Sequence, residues 1–183
     1  MGLAVLLVDT QGRDVKVIAL DLFGTVFDLS GTPREEISAY LDQCVDPVWK
    51  PLELPASWNE LKPFDDARAG IGRLLSEYQV ITCSNAPWFL TFQLRNKWSL
   101  PFSAITDLSQ IKRYKPHPEC YLHACRTIGC KPQDVLMVTA NPTFGPYPFG
   151  DLEIAGAIGM KTQLIRNPGC PQTIIELAEQ LGC

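Results

Sequence analysis

The chain has 183 residues, of which 46% are hydrophobic, and a formal net charge of −4. This length predicts one domain, or one domain with a small insertion, and the hydrophobic content is enough for a packed core. The acidic balance without any basic run argues against nucleic acid as a partner. Because no apolar stretch approaches the roughly 20 residues that span a bilayer, we expect no membrane segment.

The cysteines and histidines limit the class further. The seven cysteines are scattered and form no C-x-x-C pair. This pattern favours reduced thiols and a cytoplasmic location over a disulfide framework. The two histidines, His117 and His123, have no paired-ligand spacing, so a zinc site is not expected. Residues 2–8 are apolar but follow no Lys or Arg, and we interpret them as a strand, not a signal segment.

Strands and helices alternate along the chain, which predicts an α/β fold with a doubly wound parallel sheet. Apolar runs predict strands at residues 3–8, 15–20, 80–83, 102–106, 135–139 and 162–165. Turn residues separate the first two runs, so we expect an edge hairpin leading into the central strand. Helical spacing and capping residues predict helices at 33–44, 65–77, 88–97, 116–128, 152–158 and 173–181. The first has Thr32 as its predicted N-cap and Pro33 at the first helical position.

Residues 30–63 differ in composition from the rest, because prolines interrupt them and no hydrophobic period persists. We interpret them as a small cap insertion over the rim of the sheet, and residues 1–29 with 64–183 as the core domain. Trp49 and Trp58 either pack this insertion onto the domain or line a substrate site. A short cap leaves apolar groups near the rim partly covered, these tryptophans among them, which predicts a homodimer through the insertion.

Polar side chains follow three of the predicted strands. Asp21 ends the run at residues 17–20, Ser84 and Asn85 follow the strand at 80–83, and Thr139 and Asn141 end the strand at 135–139. In parallel sheets the carboxyl ends of the strands share one edge, which is where ligands bind. We therefore expect these groups to lie together.

Two further residues complete a possible catalytic set: Lys115 and Asp151 each precede a predicted helix. A nucleophilic carboxylate needs a cation that keeps it ionised, polar donors that orient it, and a second carboxylate that activates water. Taken singly, each residue has an ordinary structural explanation, as a turn residue, a helix cap or a surface lysine. The joint pattern favours catalysis.

This pattern resembles the haloacid dehalogenase (HAD) superfamily over about residues 17–167. The resemblance is carried by four motifs: Asp21-Leu22-Phe23-Gly24-Thr25, Ser84-Asn85, Lys115-Pro116, and Thr139-Ala140-Asn141 with Asp151. HAD phosphatases have a second Asp two residues after the nucleophile, where this chain has Phe23. L-2-haloacid dehalogenases have an aromatic residue there, and their pattern is also similar at Tyr121 and Asn141. The chain therefore resembles the dehalogenase-like branch, with a reduced cap.

The resemblance implies a hydrolase with an α/β fold that uses an aspartate nucleophile on a small organic molecule and requires no metal cofactor. It implies that Asp21 attacks, Lys115 keeps Asp21 ionised, and Asp151 activates water. Thr25 and Ser84 would help to position these groups. The residues expected to bind substrate are Leu22, Phe23, Asn85, Tyr121 and Asn141.

Three features differ from the dehalogenase pattern. The cap is shorter, Asp42 stands where the cap arginine receives the halide, and residues 143–150 are an insertion. Two alternatives therefore remain open at this point. One is a Mg²⁺-dependent phosphatase or phosphotransferase, with Asp21 and Asp151 as metal ligands. The other is a non-catalytic HAD scaffold that acts as a binding module.

Overall fold

A computed structural model describes residues 15–46, 48–143 and 150–183 of the protein. The first predicted strand, at residues 3–8, and the turn after it lie outside the described residues, as does most of the insertion at 143–150. No helix in the described ranges is long and apolar enough to cross a bilayer.

Five parallel strands form one sheet in the order β3-β2-β1-β4-β5. The strands are β1 (Val17–Leu20), β2 (Gln79–Thr82), β3 (Ala104–Ile105), β4 (Val135–Thr139) and β5 (Lys161–Leu164). The helices are α1 (Arg34–Cys44), α2 (Ala67–Leu74), α3 (Trp88–Trp98), α4 (Pro118–Ile128), α5 (Asp151–Ala157) and α6 (Ile174–Gln180). The predicted doubly wound parallel sheet is thus confirmed.

Helices cover both faces of the sheet, and the alternation along β1 shows how. Ile18 and Leu20 pack into a cluster with residues of α2, α3 and α6. Val17 and Ala19 face the other way, into a cluster with residues of α4 and α5. Since β1 is buried on both faces, its sequence is continuously apolar and not alternating.

The segment between β1 and α2 leaves the sheet and returns to almost the same point. Asp28 donates its backbone N–H to the Lys62 carbonyl at 3.0 Å, and Phe64 donates to the Val26 carbonyl at 2.9 Å. Between these contacts lie α1 and a 3₁₀ helix, Ala56–Glu60. The two ends of the segment are therefore pinned together beside the carboxyl end of β1.

The start of α1 and the place of Trp58 differ from the sequence-based expectations. Pro33, not Thr32, occupies the N-cap, and the Thr32 hydroxyl accepts a hydrogen bond from the indole N–H of Trp58 at 3.2 Å. Trp58 is fully buried against Phe23, with ring centroids 4.3 Å apart, so the expectation that it is partly covered is wrong. Trp49 is half-buried and stacks on Tyr114.

Candidate active site

The carboxyl end of β1 turns sharply, and this turn presents Asp21. The N–H groups of Thr25, Val26 and Phe27 all donate to the Leu22 carbonyl, which closes a tight loop directly after Asp21. Gly24 has φ +80°, a conformation that residues with a side chain rarely adopt. A Cβ at this position would also lie 3.3 Å from Oδ1 of Asn141. Backbone shape and close packing therefore both favour glycine at position 24 of this motif.

Lys115 lies between the two carboxylates of the predicted set. Its Nζ is 2.8 Å from Oδ1 of Asp21 and 2.9 Å from Oδ2 of Asp151. The Lys115 side chain is 1% exposed, and those of Asp21 and Asp151 are 9% and 1% exposed. One buried cation thus bridges two buried anions, which leaves the cluster with one net negative charge.

Two neutral side chains hold the other oxygen of Asp21. The Thr25 hydroxyl donates to Oδ2 at 3.2 Å, and the Asn141 side-chain amide donates to the same oxygen at 3.0 Å. Thr25 in turn accepts from the backbone N–H of Ala140 at 2.8 Å, so its proton is directed toward Asp21. The Asn141 amide also donates to the Phe23 carbonyl at 2.8 Å. Asp21 is therefore fixed by donors from the loops that follow β1 and β4 and from the loop before α4.

Asp151 begins α5 and is completely buried. Its Oδ1 accepts the Tyr121 hydroxyl proton at 2.7 Å, while Oδ2 accepts from Lys115. Burial raises the pKa of Asp151 above its usual range, against the lowering effect of Lys115. Burial and the charge of Asp151 also raise the pKa of Tyr121, so this phenol stays protonated and remains a donor.

The pKa of Lys115 is set by opposing effects. Burial alone would lower it, because desolvation disfavours the charged ammonium. The carboxylates of Asp151 and Asp21 act in the opposite direction and raise the pKa above its ordinary value. Lys115 is consequently a permanent cation at neutral pH, suited to hold Asp21 ionised.

Asn85 and Ser84 serve the backbone next to this cluster. The Asn85 side chain makes two hydrogen bonds with the main chain of Lys115, one at 3.0 Å to its carbonyl and one at 2.6 Å from its N–H. The Ser84 hydroxyl accepts a hydrogen bond from the backbone N–H of Ala86. Within the described residues, it makes no hydrogen bond to either carboxylate. Asn85 thus positions Lys115, while Ser84 shapes the turn after β2.

A cavity of about 80 Å³ opens in front of Asp21. The sheet edge contributes Asp21, Phe23, Asn85, Lys115 and Asn141 to its walls, with the exposed Thr143 at the margin. The cap insertion at residues 30–63 contributes Ile37, Tyr40 and Leu41, and Leu29 lies directly before it. Two of the residues predicted to bind substrate lie elsewhere: Tyr121 is buried behind Lys115 and binds Asp151, and the Leu22 side chain is buried in the core.

Backbone donors also converge at the end of β1 and β2. Within the described ranges, the N–H groups of Leu22, Phe23, Ser84 and Asn85 donate to no acceptor of the chain. They follow neighbouring strands, since Leu20 is paired with Thr82. Such a group of N–H donors suits the carboxylate of a bound molecule.

Sequence reasoning missed two residues that act on this site. Arg166 has φ +57° and donates through Nε to the Thr25 carbonyl at 2.9 Å, while Nη2 binds both oxygens of Asp66. Arg166 therefore anchors the loop that carries Thr25, and nothing in its local sequence indicates this. Tyr40 lies in the cavity wall, and the spacing of Ile37, Tyr40 and Leu41 on one helix face was the available signal.

Comparison with known proteins agrees with this architecture. Residues 27–163 match the family model described as haloacid dehalogenase-like hydrolase. The (S)-2-haloacid dehalogenase of Xanthobacter autotrophicus is 22% identical, in an alignment that covers 69% of this chain and 68% of that protein.

Among solved structures, an L-2-haloacid dehalogenase superposes with a TM-score of 0.73 and 22% identity, covering 91% of this chain and 99% of that one. A defluorinating L-2-haloacid dehalogenase gives a TM-score of 0.71 at 21% identity, covering 96% and 98% of the two chains. The Xanthobacter autotrophicus L-2-haloacid dehalogenase with chloropropionic acid covalently bound gives 0.66 at 19% identity, covering 82% and 77%.

Proposed function

Because the chain belongs to the haloacid dehalogenase-like hydrolase family, we propose that it hydrolyses a short 2-halo carboxylic acid through a covalent ester on Asp21. The observation that carries this proposal is the Asp21–Lys115–Asp151 cluster at the edge of a small cavity. An ionised carboxylate held by a buried cation and two neutral donors is a preorganised nucleophile. The relative with covalently bound chloropropionic acid supports both the covalent route and the substrate class.

In the first step, an oxygen of Asp21 forms a bond to the carbon that bears the halogen. The carbon–halogen bond breaks, and the halide leaves with the bonding electron pair. The substrate carboxylate accepts hydrogen bonds from the N–H groups that follow β1 and β2, and the apolar wall of the cavity surrounds the rest of the molecule. Since the cavity measures about 80 Å³, it suits an acid of only a few carbon atoms.

In the second step, water attacks the carbonyl carbon of the ester on Asp21 and gives a proton to Asp151. The raised pKa of Asp151 makes this carboxylate a better proton acceptor than an ordinary aspartate. The bond between the acyl carbon and the ester oxygen then breaks, and the departing oxygen takes up a proton. The net products are a hydroxy acid, a halide ion and one proton, with Asp21 restored.

The hydrogen bonding of the site supports a reaction without a metal ion. Both carboxylates bind Nζ of Lys115, which occupies the space between them. The Phe23 carbonyl accepts from Asn141, so this oxygen is also engaged. A divalent ion such as Mg²⁺ requires several oxygen ligands in octahedral array. Within the described ranges, no group of three or more His, Cys, Asp or Glu side chains is placed to hold one.

The experiment that tests the proposal is multiple turnover of L-2-chloropropionate in ¹⁸O-labelled water. Because water enters at the acyl carbon, heavy oxygen accumulates on Asp21 and is found by mass spectrometry in a peptide of residues 17–28. A peptide that contains Asp151 serves as the internal control and stays unlabelled. Turnover with all of the label in the product and none on Asp21 would show direct attack by water and end the nucleophile assignment.

A further inference from the structure

Arg166 follows β5 at the outer edge of the sheet, yet its side chain reaches the loop after β1. Nε donates to the Thr25 carbonyl at 2.9 Å, Nη1 to the Gln172 carbonyl at 3.0 Å, and Nη2 to both oxygens of Asp66 at 2.9 and 3.0 Å. The guanidinium also lies over the ring of Phe64, 3.8 Å from its centroid. Because all three nitrogens of this rigid planar group are engaged, the Thr25 carbonyl is held at a fixed point.

The carboxylate that holds Arg166 is itself fixed. Asp66 is the N-cap of α2, and its Oδ2 also accepts the backbone N–H of Ile174, the first residue of α6, at 2.6 Å. The side chains of Arg166 and Asp66 are each only 12% exposed. The ion pair therefore joins the starts of two helices to the loop after β1.

The backbone of Arg166 also points to a role for this side chain. Its φ of +57° lies in the left-handed region, which glycine adopts without steric cost and other residues rarely adopt. Such conformations persist where the surrounding structure holds them, and they cluster at functional sites. An arginine at this position is explained by the contacts of its guanidinium and not by the shape of the turn.

Thr25 transmits this constraint to Asp21. Its hydroxyl donates to Oδ2 of Asp21 at 3.2 Å and accepts from the backbone N–H of Ala140 at 2.8 Å. Asn167, the neighbour of Arg166, donates through its side-chain amide to the Ala140 carbonyl at 2.9 Å. Two consecutive residues after β5 thus hold both sides of the contact between Thr25 and Ala140, which directs the hydroxyl proton toward Asp21.

We propose that Arg166 is a positioning residue for the reaction at Asp21 and acts through the Thr25 hydroxyl. Arg166 is not among the residues of the cavity wall, so no contact with the substrate is proposed for it. Its effect is on the alignment of the attacking carboxylate, where a misplacement of about 1 Å can lower the rate roughly 100-fold. This role rests on the proposed function, because it requires Asp21 to act as a nucleophile.

The test is a double-mutant cycle of Arg166→Lys and Thr25→Val, with halide release from L-2-chloropropionate as the assay. Arg166→Lys keeps a positive charge beside Asp66, but one ammonium group cannot reproduce the fork that also reaches the Thr25 carbonyl. We expect Arg166→Lys alone to lower kcat by about 10- to 100-fold and to leave KM unchanged. In the Thr25→Val background it should lower kcat by no more than about twofold, because the hydroxyl through which it acts is gone.

The matched control is Arg73→Lys. Arg73 on α2 binds Glu179 on α6 at 2.8 Å, so this pair joins the same two helices without reaching the loop after β1. Arg73→Lys should leave kcat unchanged in both backgrounds. Circular dichroism checks that each variant is folded. If Arg166→Lys is not folded, Asp66→Asn replaces it in the cycle, because that change loosens the guanidinium from its other end and its effect on kcat should likewise vanish with Thr25→Val.

The outcomes separate this role from the proposed function. If the wild type releases halide and Arg166→Lys keeps full kcat, or loses the same factor with and without the Thr25 hydroxyl, the role of Arg166 is overturned and the proposed function stands. An equal loss of kcat in Arg73→Lys, or a rise in KM at constant kcat in Arg166→Lys, also overturns it. If the wild type releases no halide, the proposed function fails, and the role of Arg166 fails with it.

Discussion

Replacement of Lys115 by Met tests the central feature of the site, because it removes the bridging charge and keeps a side chain of similar length. Nζ of Lys115 compensates two carboxylates at 2.8 and 2.9 Å, and all three side chains are nearly or fully buried. Removal of one partner from a buried ion pair typically costs about 3–5 kcal/mol, since an uncompensated charge remains. We expect Lys115→Met to lower the free energy of unfolding at neutral pH by at least the lower end of that range.

The pH dependence of this loss identifies its cause. Without Lys115, the buried pair Asp21 and Asp151 repel each other, so in the folded state at least one carboxyl has a pKa above its unfolded value. The folded variant then binds more protons than the unfolded chain, and its stability rises as the pH falls. The deficit relative to wild type should therefore shrink as the pH falls from neutral toward the ordinary range of an aspartate, which denaturant unfolding followed by circular dichroism can measure.

Turnover by Lys115→Met should fall by at least about 10²- to 10³-fold, the usual effect of losing one preorganised charge partner. The control is Lys112→Ala, three residues earlier, where the lysine is exposed and lines a different cavity. This variant should retain wild-type stability and activity. If Lys115→Met were as stable as wild type at neutral pH, or turned over normally, the assignment of Lys115 as the cation that holds Asp21 ionised would be wrong.

Two further predictions concern the metal and the start of α5. EDTA should leave halide release unchanged, because Lys115 fills the space between the two carboxylates; a large loss that Mg²⁺ restores would favour the phosphotransfer alternative. Gly150→Ala should destabilise the protein by about 1–3 kcal/mol in thermal unfolding, since its Cβ would lie 2.5 Å from the Pro142 carbonyl oxygen. Gly72→Ala is its control, because that Cβ meets nothing within 4 Å, and equal effects of the two changes would contradict the packing argument.

Hydrophobic runs and motif positions predicted the sheet well. The strand at residues 135–139 has the bounds of β4, and the helices that follow β2 and β4 lie within one or two residues of their predicted ends. The location of the candidate site at one edge of the sheet could also be predicted, because parallel strands place their carboxyl ends together. Asp21, Lys115 and Asp151 meet there at hydrogen-bonding distance.

The remaining features depend on tertiary contacts that local sequence does not encode. Thr32 has the chemistry of an N-cap, yet its hydroxyl pairs with Trp58, which lies 26 residues away. The predicted strand at 102–106 shortens to two residues, Ala104 and Ile105, at the outer edge of the sheet. Arg166 reaches Thr25 across 141 residues of sequence. Such pairings follow from how the elements pack, so a reading of spacing and composition cannot supply them.

The residues of the site lie far apart in the sequence, which affects when the site can form during synthesis. Asp21 is made early, but its partner Lys115 follows 94 residues later and Asn141 follows 120 residues later. Contacts between distant residues require large loops to close, and such contacts form slowly. A nascent chain that ends before β4 contains Asp21, the proposed nucleophile, without the Asn141 amide that donates to it. The site can therefore form only after β4 has joined the sheet. In a refolding experiment, the appearance of halide release would report that folding is complete.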